Sequence, residues 1–105
     1  MRKQWLLCLV VLAGVPACTW VKPTEGGAKV AVMDAAQVEN CRKLGTTTTG
    51  VKHRVAGVER NREKVREELM TLGRNEAATM GGDTLVPLGP VVDGGMKFAV
   101  YRCQP

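Results

Sequence analysis

The fold of this 105-residue chain is decided by residues 58–80, VERNREKVREELMTLGRNEAATM. The apolar side chains recur at the 3.6-residue period of an amphipathic helix and form one stripe: Val65, Leu69, Leu72, Ala77 and Met80. We therefore predict one long helix over these residues, with two charged turns before the stripe begins. Gly73 costs about 1 kcal/mol relative to alanine inside a helix, which indicates close approach to a sheet. Gly81-Gly82 then supplies the left-handed residue that commonly ends a helix.

Four strands are predicted around this helix, two before it and two after it. Residues 28–33 alternate in polarity, and residues 46–51 are rich in β-branched threonine. Residues 83–88 and 96–103 should form an antiparallel hairpin, because Asp93-Gly94-Gly95 between them is a turn signal. The order ββαββ predicts an α+β fold in which one long helix packs on a small, mainly antiparallel four-stranded sheet.

The first eighteen residues have the pattern of a bacterial lipoprotein signal peptide. Arg2-Lys3 is a basic start, residues 5–11 are apolar, and Val15-Pro16-Ala17-Cys18 has the small residues and the cysteine of a lipobox. We predict cleavage before Cys18 and acylation of its thiol. A plain signal peptide cut at Ala17 is the alternative, whereas a membrane-spanning helix would need about 20 apolar residues.

This assignment divides the chain into three parts. Residues 1–17 form the signal peptide, residues 18–27 the lipidated N-terminus and a tether, and residues 28–105 the small α+β domain. Thr19 follows the acylated cysteine, and aspartate at that position is the familiar signal for retention in the inner membrane. We therefore expect a lipid-anchored protein of the outer membrane that faces the periplasm and contacts the membrane through its anchor.

The four cysteines of the chain predict one disulfide. Cys8 leaves with the signal peptide and Cys18 carries lipid, so Cys41 and Cys103 remain as an even pair in an oxidising compartment. In the predicted fold, this bridge connects the entrance of the second strand to the end of the fourth.

The charge is mildly basic and does not indicate nucleic-acid binding. The formal net charge of the whole chain is +5, and removal of Arg2-Lys3 with the signal peptide lowers it. Beside Trp20, one Phe and one Tyr are also few aromatic side chains for base stacking. We expect no nucleic-acid partner, and the charge favours anionic envelope components or envelope proteins instead.

Basic side chains cluster before the helix and in its charged turns: Lys52, Arg54, Arg60, Arg62, Lys64 and Arg66. Glutamates are interleaved with them, so the simplest interpretation is a solvated surface with ion pairs between helix neighbours. The other interpretation is that this cluster contacts a partner in the envelope, because the charged turns lie outside the apolar stripe.

No set of residues with the chemistry of an active site or a metal site is evident. His53 is the single histidine, and Cys41, His53 and Cys103 lack the short spacing of a structural zinc site. Gly81-Gly82 follows a helix, whereas phosphate-binding glycines precede one. We therefore expect no enzymatic activity, no cofactor and no metal.

Several motifs together resemble a proteobacterial outer-membrane lipoprotein family known only by a domain-of-unknown-function label. They are Gly27-Ala28-Lys29-Val30, Cys41-Arg42-Lys43-Leu44-Gly45, Arg74-Asn75-Glu76-Ala77-Ala78, Met80-Gly81-Gly82-Asp83-Thr84 and Phe98-Ala99-Val100-Tyr101-Arg102-Cys103. The resemblance implies an outer-membrane lipoprotein with a small α+β domain and no known catalytic residue. More distantly, the chain is similar to the family of RcsF, the lipoprotein that senses envelope stress for the Rcs phosphorelay.

The leading hypothesis is therefore a non-enzymatic binding or structural module of the cell envelope. The alternative is an envelope-stress or redox/metal sensor related to RcsF, in which Cys41 and Cys103 would be the responsive pair. An enzyme whose site is completed by another chain is a third hypothesis.

Overall fold

A computed structural model describes residues 21–55 and 57–105 of the chain. These residues contain one α-helix, α1 (Arg62–Thr79). The strands are β1 (Ala31–Val32), β2 (Arg42–Gly50), β3 (Arg54–Val55), β4 (Val58–Glu59), β5 (Thr84–Pro87) and β6 (Gly95–Arg102). Four of them form one sheet in the order β1-β5-β6-β2, and β3 pairs with β4 in a separate hairpin. The predicted α+β fold with one helix on a four-stranded sheet is confirmed.

Antiparallel pairing dominates the larger sheet. β6 pairs antiparallel with both β5 and β2, whereas β1 pairs parallel with β5 over two residues. The β5–β6 hairpin matches the prediction, and its tight turn is made by Asp93 and Gly94, with φ values of 48° and 74°. Both φ values lie in the left-handed region, as two-residue hairpin turns of this kind require.

The predicted start of the helix is wrong by one turn. α1 begins at Arg62, and Val58–Glu59 is the second strand of the small hairpin. The short pattern of charged residues before Arg62 suits a helix or an exposed strand equally well. The side chain of Asn61 caps the helix by accepting a hydrogen bond from the N–H of Lys64 at 3.1 Å, and this interaction determines where the helix begins.

The predicted first strand is also shorter than expected. Gly27–Lys29 forms a 3₁₀ turn, and only Ala31–Val32 is strand. Val30 is buried, but Val32 is 41% exposed, so these side chains do not share one buried face. The reason is that Val30 lies at the end of the 3₁₀ turn, where the strand's alternation does not apply.

The main core lies between α1 and the sheet. Its buried members are Val30, Val65, Leu69, Ala77, Leu85, Met96, Phe98 and Val100. From the predicted helix stripe, Val65, Leu69 and Ala77 are buried, while Leu72 and Met80 are half-buried. A Cβ at Gly73 would lie 2.9 Å from Phe98 Cε2. The helix therefore approaches the sheet closely at this residue, as predicted from the glycine inside the helix.

The other face of the sheet carries a smaller core next to the disulfide. Val38, Val86 and Ala99 are buried there and pack against both half-cystines. The predicted bridge between Cys41 and Cys103 is present, with a Cα–Cα distance of 4.5 Å. It joins the residue before β2 to the residue after β6, as expected.

The helix ends as its sequence predicted. Gly81 has a φ of 83°, its N–H donates to the carbonyl of Ala78, and the N–H of Gly82 donates to the carbonyl of Ala77. This pair of bonds is a Schellman motif, which satisfies carbonyls that the helix end would otherwise leave without donors.

The signal peptide, Cys18 and residues 19–20 lie outside the described residues. The described part of the predicted tether, residues 21–27, contacts the C-terminal half of α1 through hydrogen bonds to Asn75 and Arg74. Within the described part of the chain, no helix combines the length and the apolar character that crossing a membrane requires.

Candidate functional site

A groove of about 860 Å³ lies at the N-terminal end of α1. Its walls come from the β3–β4 hairpin, the first turns of α1 and the loop before β6. Its lining residues are His53, Arg54, Glu59, Arg60, Arg62, Glu63, Val65, Arg66, Pro90, Val91, Asp93 and Gly94. We call this surface the arginine groove, because four of its side chains are guanidinium groups.

The start of α1 places two of these arginines side by side. Asn61 caps the helix, so Arg62 is its first residue and Arg66 lies one turn further along. Side chains four residues apart on a helix are neighbours on its surface. Both are exposed. Glu63 lies in the first turn, where a carboxylate interacts favourably with the positive end of the helix dipole.

Arg60 has a structural role in the groove. Its guanidinium donates to Glu68 Oε2 and to the Lys52 carbonyl, both at 2.7 Å, and its N–H donates to the His53 carbonyl at 2.7 Å. The hydrogen bond to Glu68 raises the pKa of Arg60 above its usual value. Arg60 thereby ties the segment before the small hairpin to the second turn of α1.

The opposite wall is held by the turn at Gly94. The carbonyl of Gly94 accepts a hydrogen bond from Val51 N–H at 2.9 Å. A Cβ at Gly94 would lie 2.5 Å from the backbone carbonyl oxygen of Val51 and 2.7 Å from Nδ1 of His53, so the close approach of the Val51 backbone and the φ of 74° both require glycine. This contact brings the loop before β6 against the segment that leads into β3.

Three arginines of the groove are available to bind an anionic group. Arg54, Arg62 and Arg66 form no ion pair with any residue that the structure describes. Guanidinium groups form bidentate hydrogen bonds with carboxylates and phosphates. Carboxylates are also present in the lining (Glu59, Glu63 and Asp93), with apolar contact area from Val65, Pro90 and Val91.

The structure brings together four of the six basic residues singled out in the sequence: Arg54, Arg60, Arg62 and Arg66. Lys52 and Lys64 are exposed but do not line the groove. Lys52 contributes its carbonyl, and Lys64 has its N–H bound by the helix cap. Sequence reasoning missed the wall formed by residues 90–94, because its approach depends on a contact between distant segments.

A second polar cluster, unforeseen from the sequence, surrounds Asp83. Its Oδ1 accepts from the N–H of Cys103 and its Oδ2 from the N–H of Gln104, both at 2.8 Å. Partial burial acts to raise the pKa of Asp83, but these bonds, the Thr84 hydroxyl and Arg102 outweigh it, so the pKa lies below the usual value. Asp83 therefore holds the C-terminal segment, which is a structural role.

Among residues 21–55 and 57–105, no three His, Cys, Asp or Glu side chains are placed to hold a metal ion together.

Comparison with known proteins finds one family. The model of a domain of unknown function, DUF4156, matches residues 21–103, which is nearly all of the described chain. No curated protein and no solved structure matches the chain significantly.

Proposed function

The chain belongs to the DUF4156 family of domains of unknown function, and we propose that it is a non-enzymatic lipoprotein of the bacterial cell envelope. It is anchored through acylated Cys18 to the periplasmic face of the outer membrane. Its folded domain binds an acidic partner in the arginine groove.

Three features support the location. The lipobox residues 15–18 end in a cysteine. The next residue is Thr19 and not the aspartate that would retain the protein in the inner membrane. The disulfide between Cys41 and Cys103 is of the kind that persists in oxidising compartments such as the periplasm.

The observation that carries the binding role is the set of arginines that form no ion pair within the described part of the chain. Arg54, Arg62 and Arg66 surround a concave surface and form no ion pair with a described residue. Concave sites with a few convergent polar groups are the usual binding sites of proteins. The groove best fits an acidic segment of an envelope protein. The carboxylates of that segment pair with the three guanidinium groups.

Photo-crosslinking in cells tests this role. A benzophenone amino acid replaces Pro90, which is exposed in the groove lining, in the full chain with and without Arg54→Gln, Arg62→Gln and Arg66→Gln. Three exposed ion pairs at about 0.5 kcal/mol each sum to about 1.5 kcal/mol and predict about a tenfold loss of crosslinked partner.

The matched control removes three positive charges at exposed strand positions that do not line the groove: Arg42→Gln, Lys43→Gln and Lys97→Gln. This control should keep the crosslinks of the parent chain. Equal loss in both triple variants would show that only net charge matters, and no loss in either would refute the groove as the binding site.

A further inference from the structure

The segment that follows the proposed anchor is bound by α1. Asn75 Oδ1 accepts hydrogen bonds from the N–H and the hydroxyl of Thr24, at 2.8 and 3.2 Å, and Asn75 Nδ2 donates to the carbonyl of Lys22 at 3.1 Å. One side chain thus holds two residues of a segment more than fifty positions away in sequence.

Arg74 extends this contact along the same segment. Its Nε donates to the carbonyl of Gly27 at 3.3 Å, and its Nη2 donates to the carbonyl of Ala28 at 3.4 Å. Gly27 is buried, and a Cβ there would collide with Oδ1 of Asn75. We call Arg74 and Asn75 together the clamp.

From the clamp onward the chain is part of the fold. Thr24 Oγ1 accepts from the N–H of Gly27 at 2.8 Å, and the 3₁₀ turn Gly27–Lys29 leads to Val30, which is buried in the main core. Residues 22–30 therefore cannot act as a flexible linker while these contacts are made.

Only a short length of chain separates the clamp from the anchor. Lys22 follows Cys18 by four residues, which span at most about 14 Å when fully extended. We infer that the clamp holds the domain against the bilayer, with residues 22–29 and the C-terminal half of α1 facing the lipid surface. This inference rests on the proposed acylation of Cys18.

The orientation should depend on this short connection and little on lipid charge. The charged side chains on this side nearly balance, with Lys22, Lys29 and Arg74 against Glu25 and Glu76. Such a surface has weak net attraction for anionic headgroups, so added salt should leave the orientation unchanged.

The arginine groove is then kept away from the anchored side. Arg62 precedes Asn75 by thirteen residues in α1, which corresponds to about 20 Å along the helix axis. The clamp thus places the groove where a periplasmic partner can reach it.

Lipid photo-crosslinking tests this orientation. A benzophenone amino acid replaces Glu25, beside the clamp, or Glu63, in the groove, in the full-length acylated protein. The protein is reconstituted in vesicles of phosphatidylethanolamine and phosphatidylglycerol, and lipid adducts are quantified by mass spectrometry. We expect at least fivefold more adduct at position 25 than at position 63, at low and high salt.

Two changes should abolish that difference. Asn75→Ala removes the clamp's hydrogen bonds to Lys22 and Thr24, with the exposed neighbour Glu76→Ala as its matched control. A Gly-Ser insertion of about twelve residues between positions 20 and 21 leaves the clamp intact and adds roughly 20 Å of flexible reach. If circular dichroism shows that Asn75→Ala is unfolded, the adduct ratio of the insertion variant alone tests the orientation.

The outcomes separate this inference from the proposed function. Similar adduct yields at positions 25 and 63, in protein that still binds vesicles, would overturn the orientation but not the anchor. An unchanged ratio of these two yields after the Gly-Ser insertion would likewise overturn the orientation and not the anchor. Vesicle binding by the Cys18→Ala variant equal to that of the acylated protein would overturn the anchor, and the orientation with it.

Discussion

The carboxylate of Asp83 accepts a hydrogen bond from the backbone N–H of Cys103, with an Oδ1–N distance of 2.8 Å. Asp83 directly follows the glycines that end α1, and Cys103 is bridged to Cys41. One carboxylate therefore connects the end of the helix, the start of β5 and the disulfide. This relationship explains how a short C-terminal segment without secondary structure is held in place.

Asp83 should make stability depend on pH. Its pKa is lower in the folded protein than the unperturbed 3.8, so ionisation favours folding. The stabilisation is complete above the unfolded-state pKa and is lost as the pH falls through the lower, folded-state pKa. Asp83→Asn should cost about 1–3 kcal/mol at pH 7, and less near pH 2.5.

Urea denaturation of both proteins at the two pH values measures this difference. Glu76→Gln, at an exposed position of α1, is the control and should have little effect at either pH. A cost of Asp83→Asn that does not change with pH would show that its charge is not what holds the C-terminal segment.

Removal of the disulfide should destabilise the domain strongly. The bridge between Cys41 and Cys103 closes a loop with a sequence separation of 62, and loss of such a bridge typically costs about 2–5 kcal/mol. The double variant Cys41→Ala, Cys103→Ala should therefore melt well below the oxidised parent, and reduced parent protein should melt close to the double variant. Full stability of both would mean that the bridge contributes little.

Gly73→Ala should destabilise the domain although alanine is the better helix former. The added Cβ would lie within 3.0 Å of Phe98 and Leu85 side-chain atoms, and both residues are fully buried. Overpacking of this kind costs about 1–3 kcal/mol, and over most of that range the cost exceeds the gain of about 1 kcal/mol in helix propensity. Chemical denaturation should thus show net destabilisation, whereas Thr79→Ala at the exposed helix end should be nearly neutral.

Arg60 and Arg62 should differ in their contribution to folding. Arg60 donates to Glu68 and to the Lys52 carbonyl, whereas Arg62 has no such contact in the described residues. Arg60→Gln should lower the melting temperature measured by circular dichroism, and Arg62→Gln should leave it nearly unchanged. Equal melting temperatures for the two variants would argue against a structural role for Arg60.

Local signals in the sequence were sufficient for much of the fold. Gly81-Gly82 marked the helix end, Asp93-Gly94 marked the hairpin, and the spacing around Gly73 indicated the close contact with the sheet. Each of these features depends on neighbouring residues or on one periodic pattern. The pairing of Cys41 with Cys103 followed from elimination of the other cysteines.

Features that depend on distant contacts were not predictable in this way. The sequence predicts a helix start at residue 58 because charged residues in an exposed hairpin and in a helical first turn follow similar patterns. The arginine groove needs residues 90–94 to approach the start of α1, and the clamp needs Asn75 to meet Lys22. Nothing in one sequence indicates which polar side chains meet across such separations.

The central claim is that this chain is an acylated envelope lipoprotein, and the mass of its mature N-terminal peptide tests that claim most directly. Protein purified from bacterial membranes should yield a peptide that begins at Cys18 and carries a diacylglycerol thioether with an N-linked acyl chain, and the Cys18→Ala variant should yield none. An unmodified peptide that begins at Cys18, or one that retains residues 1–17 in membrane-associated protein, would contradict the account.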